Sequence, residues 1–509
     1  MSDIIAPSTL LRRSLPLHAA PSTAQRVAGL SRELAQLNDT AARSYFAIDG
    51  DAHPIKSTVS LCAECLGHVP ALVFSQRGKV FVRSRCTEHG HRDGLLENDS
   101  RYYFVSTKDR AGRLYDPSRV FHIPEYTLPG QDSCCEGGAC DGADQMGNKT
   151  CTILVEVTNA CNLACTVCYS DARGDRVVPR AELERMVDDL ARKKGGLDSV
   201  QLTGGEALLH PEFFELVQHL YDNPLIKKIY LPTNGIELSD PAVARKLLPF
   251  QGKLLVLLQF DGVEDQSDRT LRQATPGRLR QRVIDNLGEL GIFMQLTMTL
   301  AHGVNDSQVG AVLAIALEHE HIKVLALQPA TYSGRYGLAP NALERLTLSD
   351  MVKAVVNQAS VRVTEADFVP IPCSHPNCGW ITLFVRRFGM VHNVVRYVDL
   401  PKVIDAVSYK TQLSTSELQT AIGSREPFSI KRLVGDAARR LVRSQDMFTI
   451  AIKPFMDRFS YDHDRIANCC HHLMDTHGVP TSFCEYNARL RQTDSWQRFP
   501  TLESARAGL

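Results

Sequence analysis

The sequence has no excess of either charge, no long apolar run and no export signal. Its 509 residues include 57 Lys plus Arg and 57 Asp plus Glu, so no broad electrostatic footprint points to nucleic acid or to an anionic membrane. The longest apolar runs, at 254–258 and 311–317, are far shorter than the roughly 20 residues that cross a bilayer. Arg12 and Arg13 precede no apolar stretch of signal-peptide length. We therefore expect a cytoplasmic protein without a nucleic-acid partner.

Cysteine, by contrast, is abundant. The 15 cysteines exceed what a reducing cytosol would maintain as structural disulfides, and short spacings between thiols favour zinc or iron-sulfur centres. They fall into five groups: Cys62, Cys65 and Cys86; Cys134, Cys135, Cys140 and Cys151; Cys161, Cys165 and Cys168; Cys373 and Cys378; and Cys469, Cys470 and Cys484. The sequence thus predicts several metal sites in one chain.

Stretches of different composition follow one another, and the length predicts roughly three folded domains. We expect a loosely ordered arm at 1–55, a small β-rich mononuclear metal module at 56–107, a Cys- and Gly-rich linker at 108–150, an enzymatic core at 151–345 and a mixed C-terminal region at 346–509.

In the core, apolar strand-like runs alternate with segments of helical period. The runs are 153–158, 199–203, 228–231, 254–260, 293–300 and 324–328. Six such units predict an α/β fold with a parallel sheet. We expect a partial (β/α)6 barrel, because polar motifs follow the strands at the edge where their carboxyl ends meet.

The loop after the first strand reads Cys161-Asn-Leu-Ala-Cys165-Thr-Val-Cys168. Three thiolates on one loop can hold three irons of a [4Fe-4S] cluster and leave the fourth iron open to another ligand. A zinc ion with a distant fourth ligand is the alternative.

Two further motifs follow the next two strands. The second strand ends in Gly204-Gly205-Glu206, where paired glycines allow close backbone approach and the carboxylate can accept from an ammonium group. The third is followed by Asn234 on a tight turn. Each motif alone is common in turns, but their combination with the cysteine loop is specific.

With these motifs in this order, residues 150–330 resemble the radical S-adenosylmethionine (SAM) enzymes. The resemblance implies that the loop cysteines bind a [4Fe-4S] cluster and that the Gly-Gly-Glu segment binds the methionine end of SAM, with Asn234 contributing. An aromatic residue usually precedes the third cysteine, where this chain has Val167, so Tyr169 is the aromatic candidate. The ribose candidates are Gln259, Asp261, Thr297 and Gln328. The implied reaction is reductive cleavage of SAM and hydrogen abstraction by a 5′-deoxyadenosyl radical, and no catalytic residue is identified.

The first cysteine group has the spacing C-x2-C-x20-C-x2-H, from Cys62 through Cys65 and Cys86 to His89. This ribbon-type spacing is typical of one tetrahedral ion, zinc or a rubredoxin-like iron, and it predicts a module that is either zinc-ribbon-like or rubredoxin-like. A linker cysteine is the alternative to His89 as the fourth ligand.

The remaining thiols can hold one or two auxiliary [4Fe-4S] clusters. Cys134, Cys135, Cys140 and Cys151 form one candidate set, and the five thiols from Cys373 to Cys484 form the other. We therefore expect the C-terminal part to be an auxiliary iron-sulfur (SPASM-like) region.

A narrower resemblance covers most of the chain after residue 55. It rests on segments such as Ser60-Leu-Cys-Ala-Glu-Cys-Leu66, Gly334-Arg-Tyr336, Lys453-Pro-Phe-Met-Asp457 and Phe483-Cys-Glu-Tyr-Asn487. These resemble the tetraether synthase group and its bacterial relatives, some of which are assigned as 7,8-dihydro-6-hydroxymethylpterin methyltransferases. The resemblance implies extra [4Fe-4S] clusters and a rubredoxin-like iron.

Three functions follow as expectations. The first is radical coupling of lipid alkyl chains through C–C bonds, and the second is radical methylation of a pterin or a similar small heterocycle. The third, a non-catalytic iron-sulfur electron-transfer protein, is disfavoured by the intact Gly-Gly-Glu segment. Either enzyme needs an electron donor such as flavodoxin or ferredoxin. A basic amphipathic pattern at 429–445 predicts either peripheral contact with a membrane or a helix packed on its own domain.

Overall fold

The computed structural model describes residues 23–106, 150–339, 341–371, 375–387, 389–395, 444–467 and 469–507. The predictions made for Cys134, Cys135, Cys140 and Cys373, and those for residues 429–443, lie outside the described residues.

The N-terminal module is an antiparallel sheet whose strands pair in chain order: β1 (His53–Leu61), β2 (His68–Gln76), β3 (Lys79–Cys86) and β4 (Gly90–Glu97). Helices α1 (Thr23–Ala35) and α2 (Asp39–Tyr45) pack on this sheet by burying Val27, Leu34 and Phe46 against Val59 and Leu72. Two helices, at 23–35 and 39–45, thus lie in the stretch that was expected as a loosely ordered arm. Helix α3 (Ser100–Ser106) follows the sheet.

The core contains all six predicted strands, paired in parallel and in chain order: β5 (Thr152–Thr158), β7 (Ser199–Gly204), β8 (Ile229–Thr233), β9 (Leu254–Gln259), β10 (Met294–Leu300) and β11 (Ile322–Pro329). The short strand β6 (Val167–Cys168) lies in the loop after β5. The connecting helices are α4 (Arg180–Lys194), α5 (Phe213–Asp222), α6 (Pro241–Arg245), α7 (Asp265–Arg272), α8 (Gly277–Glu289) and α9 (Val309–Glu318). This is the α/β core that the sequence predicts.

Alternation along the strands separates the hydrophobic core from the interior of the barrel. On β7, Val200 and Leu202 are fully buried in the hydrophobic core with the helices, whereas Gln201 and Thr203 line a central cavity. This follows from the period of two in a strand, which sends successive side chains to opposite faces.

Residues beyond 345, where the predicted alternation stops, add strands to both edges of the core sheet. Strand β16 (Met447–Ile452) pairs in parallel with β11, and β17 (His471–Met474) pairs in parallel with β5. The sheet thus presents the parallel run β17-β5-β7-β8-β9-β10-β11-β16. The C-terminal region therefore takes part in building the barrel.

The other described elements lie between or after these strands. The strands are β12 (Arg335–Tyr336), β13 (Val369–Pro370), β14 (Trp380–Arg387), β15 (Met390–Asn393) and β18 (Pro480–Ser482), and the helices are α10 (Leu348–Gln358), α11 (His463–Ala467), α12 (Phe483–Glu485) and α13 (Leu502–Ala507). The SPASM-like character of this region stays a prediction.

Polar contacts join the N-terminal module to the C-terminal region. Lys56 Nζ lies 2.7 Å from Asp462 Oδ2 and 2.8 Å from Asp464 Oδ2. Gly94 lies against the carbonyl oxygen of Phe459, which a Cβ at position 94 would approach to 1.8 Å. The module is thus fitted closely to the rest of the chain.

None of the helices in the described part of the chain has the length and apolarity needed to cross a membrane.

Candidate active site

The cysteine loop is held on one side by the glycine pair at the end of β7. Gly205 N donates to Thr158 O at 2.7 Å, and Glu206 N donates to Ala160 O at 2.9 Å. A Cβ on Gly205 would come within 1.8 Å of Ala160 O, and Gly204 has a φ of +119°. Only glycine permits this approach without moving the loop, so the pair fixes the start of the loop.

The other side of the loop is held by residues 334–337. Strand β12 pairs with β6, with Arg335 opposite Cys168, and Gly337 N donates to Thr166 O at 2.8 Å. A Cβ on Gly334 would lie 2.2 Å from Tyr169 O. The segment Gly334-Arg-Tyr336 thus supports the backbone of the cysteine loop. In the sequence, only the resemblance to the tetraether synthase group had singled it out.

The three loop thiols line one cavity of about 940 Å³ inside the barrel. All three cysteines are free. Among the described residues, the side chains whose ligand atoms are close enough to share a single ion lie in the N-terminal module and not in this loop. The wider spread of the loop thiols fits a polynuclear cluster better than the zinc alternative.

The predicted cofactor residues line the same cavity: Gly204, Gly205, Glu206, Asn234 and Tyr169. Glu206 is 1% exposed, and burial raises the pKa of its carboxyl to about 7, opposed by hydrogen bonds such as the one from Asn234 N, at 2.9 Å. The hydrogen bond thus fixes the position of the Glu206 carboxyl group. A cation bound beside it in the cavity would offset the cost of burying its negative charge.

Asn234 and Tyr169 also support the loop. Asn234 Nδ2 donates to Asn162 Oδ1 at 2.7 Å. The Tyr169 hydroxyl lies 3.2 Å from Thr203 Oγ1, and its ring packs edge-on against Phe483. Contact of Tyr169 with a cofactor stays a prediction.

Arg272 was missed by the sequence reasoning. Its guanidinium pairs with Asp261 at 2.6 Å, donates to Val167 O at 3.2 Å and faces Cys165. Asp261, one of the ribose candidates, is therefore engaged in an ion pair outside the cavity lining, whereas Gln259, Thr297 and Gln328 line the cavity. No motif marks Arg272, because only the fold brings α7 beneath the loop.

The N-terminal module holds a compact ligand set. One ligand atom from each of Cys62, Cys65, Cys86 and His89 lies within 4.8 Å of the others, and His89 Nδ1 is 3.4 Å from Cys86 Sγ. Three thiols and one imidazole in tetrahedral range suit zinc. The structure thus places His89 as the fourth ligand, a position for which the sequence had left His89 and a linker cysteine as alternatives.

The described C-terminal cysteines separate into two places. Cys378, Cys469 and Cys484 lie near one another. Arg465 lies beside two of them, with its Nε 3.4 Å from Cys378 Sγ and its charge close to Cys484. Cys470 instead lies beside Cys151, whose N–H donates to the Cys470 carbonyl at 2.9 Å. Adjacent residues 469 and 470 thus belong to different surroundings.

Comparison with known proteins agrees with this geometry. Residues 155–316 match the family model of the radical SAM superfamily, and residues 54–98 match the model described as the HMPTM N-terminal zinc ribbon domain. The chain therefore carries a radical SAM domain and an N-terminal zinc ribbon. The zinc ribbon is one of the two kinds of module that the sequence left open.

Two individual relatives are similar to the chain over different lengths. The chain is 26% identical over 493 residues to 7,8-dihydro-6-hydroxymethylpterin dimethyltransferase of Methanocaldococcus jannaschii, covering 86% of this chain and 94% of that protein. It is 27% identical over 219 residues to GTP 3',8-cyclase of Chlorobaculum tepidum, covering 40% of this chain and 63% of that protein.

The solved structures that the chain matches include a radical SAM methyltransferase from Sphaerobacter thermophilus, with a TM-score of 0.32 and 16% identity over 66% of this chain and 84% of that chain. SuiB from Streptococcus suis has a TM-score of 0.35 and 16% identity over 41% of this chain and 45% of that chain.

Proposed function

We propose that the chain is a radical SAM methyltransferase that acts on a pterin-like heterocycle. The relative from Methanocaldococcus jannaschii is named as a pterin dimethyltransferase, and its similarity extends over most of both chains. In this proposal Cys161, Cys165 and Cys168 hold a [4Fe-4S] cluster, and the Gly-Gly-Glu segment takes the methionine end of SAM. Bound there, the cluster and SAM supply a radical able to break a C–H bond.

The choice of substrate class rests on two glutamine side chains inside the barrel whose amide groups form no hydrogen bond with the described residues. Gln201 on β7 and Gln328 on β11 both line the cavity, and neither side chain forms a hydrogen bond among the described residues. Gln295 Nε2, by contrast, donates to Thr297 Oγ1 at 2.9 Å. Each free amide offers a donor beside an acceptor, which is the pattern on the edge of a pterin ring.

Two auxiliary [4Fe-4S] clusters belong to the same proposal. Cys378, Cys469 and Cys484 would hold one with Cys373, and Cys151 and Cys470 would hold the other with linker cysteines among Cys134, Cys135 and Cys140. The proximity of Cys378, Cys469 and Cys484 to one another supports the first set, because thiols gathered in one place can bind the irons of one cluster. A flavodoxin or ferredoxin would supply the electrons.

The test is transfer of isotope between substrate and SAM. Anaerobically reconstituted protein is incubated with reductant, SAM and 7,8-dihydro-6-hydroxymethylpterin deuterated at ring and side-chain carbons, and the products are analysed by mass spectrometry. We expect methylated pterin and 5′-deoxyadenosine, with deuterium in the latter if abstraction is from the pterin. Gln201→Ala and Gln328→Ala should lower turnover, whereas Gln281→Ala on the exposed face of α8 should not. Deoxyadenosine formation that is indifferent to pterin, without a methylated product, would overturn the proposal.

Radical coupling of lipid alkyl chains is the second candidate, because one wall of the cavity is apolar. Ile381 and Leu383 on β14, with Met447 and Ala451 on β16, line it. An alkyl chain would bury its surface against this wall. Organic extraction of anaerobically purified protein followed by mass spectrometry tests it, and near-stoichiometric bound lipid would favour this candidate over the pterin.

A further inference from the structure

The cavity extends along the whole length of the barrel strands. The cysteine loop lies at their carboxyl ends, and the opposite end, here called the lower end, is lined by Lys228, Gly252, Phe293 and Lys323. Along β11, the five steps from Lys323 to Gln328 span about 17 Å at roughly 3.3 Å per residue. Gly252 and Phe293 are exposed, so in the described part of the chain the lower end reaches the protein surface.

The lower end carries two lysine ammonium groups. The carboxylates of Glu320 and Asp446 lie near enough to Lys323 to oppose the lowering of its pKa, but neither lines the cavity. Lys228 Nζ donates to Gly252 O at 3.2 Å, and Lys323 Nζ donates to Gln445 O. Neither lysine has an ion-pair partner among the described residues, and the sole carboxylate among the described cavity-lining residues is Glu206, at the other end.

Burial makes these two charges costly in the free protein. Burial lowers the pKa of Lys228, and burial together with the nearby Arg386 cation lowers the pKa of Lys323 to about 8. Both lysines are half-buried, and a partly desolvated ammonium is stabilised by an anion beside it. Each ammonium donates one hydrogen bond to a backbone carbonyl and keeps two N–H donors for a ligand.

We infer that Lys228 and Lys323 bind a phosphate group of the substrate at the lower end of the barrel cavity. Two ammonium groups supply point charges and several donors, which suits a multiply charged oxyanion. This inference rests on the proposed function, in that the substrate extends from the radical site at the upper end to the lysines. A phosphorylated pterin and a phospholipid share this chemistry.

Inorganic pyrophosphate is the first probe, titrated calorimetrically into full-length reconstituted protein. We expect saturable binding that is weakened at least about tenfold in Lys228→Gln/Lys323→Gln. Lys227→Gln is the matched control, because Lys227 precedes Lys228 but is exposed and pairs with Asp198 at 2.7 Å. Absence of binding to the parent protein, or an equal loss in the Lys227→Gln control, would overturn the inference.

Two further arms separate the sources of the phosphate. 7,8-Dihydro-6-hydroxymethylpterin diphosphate is compared with the unphosphorylated pterin, and dihexanoyl phosphatidylglycerol is compared with dihexanoylglycerol. A preference for the phosphorylated member of either pair that disappears in the double variant supports the site and assigns its source. Equal affinity within both pairs overturns it.

Cleavage of SAM without substrate is measured in every variant. Its rate should be unchanged in the double variant, since neither lysine contacts the cysteine loop. Loss of phosphate binding with intact cleavage therefore tests the inference apart from the proposed function, and a failure of methyl transfer with intact phosphate binding counts against the proposed function alone.

Discussion

The zinc ribbon and the barrel loop hold their cysteines in opposite ways. In the ribbon, four ligand groups converge within 4.8 Å, and Cys62 and Cys86 are buried. In the barrel, three thiols spread over the wall of a large cavity, and the backbone of the loop is supported from both sides. A complete ligand set suits a structural ion, whereas an incomplete set beside a cavity leaves a coordination position for a reactant. Ligand number and access, more than cysteine content, thus separate a structural from a reactive centre.

The largest expected effect is that of Cys165→Ala in the loop. The variant should form no 5′-deoxyadenosine when reconstituted anaerobically with iron, sulfide, reductant and SAM, because two thiols leave a second iron without its protein ligand. Chromatographic measurement of deoxyadenosine checks this. Formation at the parental rate would contradict the assignment of the loop.

A second variant tests the support of the loop. Gly205→Ala would place a Cβ 1.8 Å from Ala160 O, so the loop must shift, and the protein should lose the about four irons of the loop cluster while zinc is retained. Metal analysis of the purified protein measures both. Gly50→Ala is the control, because Gly50 has no heavy atom within 4 Å of its Cβ position; a full iron complement in Gly205→Ala would show that the glycine clamp is dispensable.

A third variant tests the ribbon. Cys62→Ala should release zinc and destabilise the module by an amount on the order of several kcal/mol, since a structural ion contributes its binding energy to folding. Soluble yield and zinc content should fall, while deoxyadenosine formed per soluble chain changes little. If cleavage falls as much as in Cys165→Ala, the two centres are not functionally separate.

The smallest effect is expected at the joint between the two regions. Glu97 on β4 accepts from Thr347 Oγ1 at 2.7 Å and from Ser349, and burial raises its pKa to about 7. Because the folded protein holds this proton more tightly than the unfolded chain, the stability it confers is complete below about pH 4.5 and is lost as the pH rises towards 7. Glu97→Gln should remove this pH-dependent contribution to the free energy of unfolding, which is of the order of 3 kcal/mol at most. Thermal unfolding of both proteins from pH 5 to 8 measures it, and parallel curves would contradict the assignment.

Much of the core was predictable because its signals are local. The six strands of the barrel show in the alternation of apolar runs and helices, and the cysteine loop and Gly204 to Glu206 follow them directly. The role of Gly334 and the approach of Arg272 to Cys165 depend on contacts between distant segments, which no local pattern records.

The strands at the edges of the barrel were missed for a related reason. Met447–Ile452 and His471–Met474 are short and follow no helix of the regular alternation. The separation of Cys469 from Cys470 was likewise hidden, because sequence proximity suggests a shared site, whereas neighbouring side chains point apart in extended chain.

The pairing of β17 with β5 has a consequence for how the protein is made. Residue 471 pairs with residue 152. During synthesis this edge of β5 therefore lacks β17 as its partner until most of the chain has left the ribosome. The cysteine loop and its glycine support are complete long before that moment. An unpaired edge strand is an aggregation hazard, and we expect heterologous yield to depend on slow translation and on iron delivery at the nascent stage.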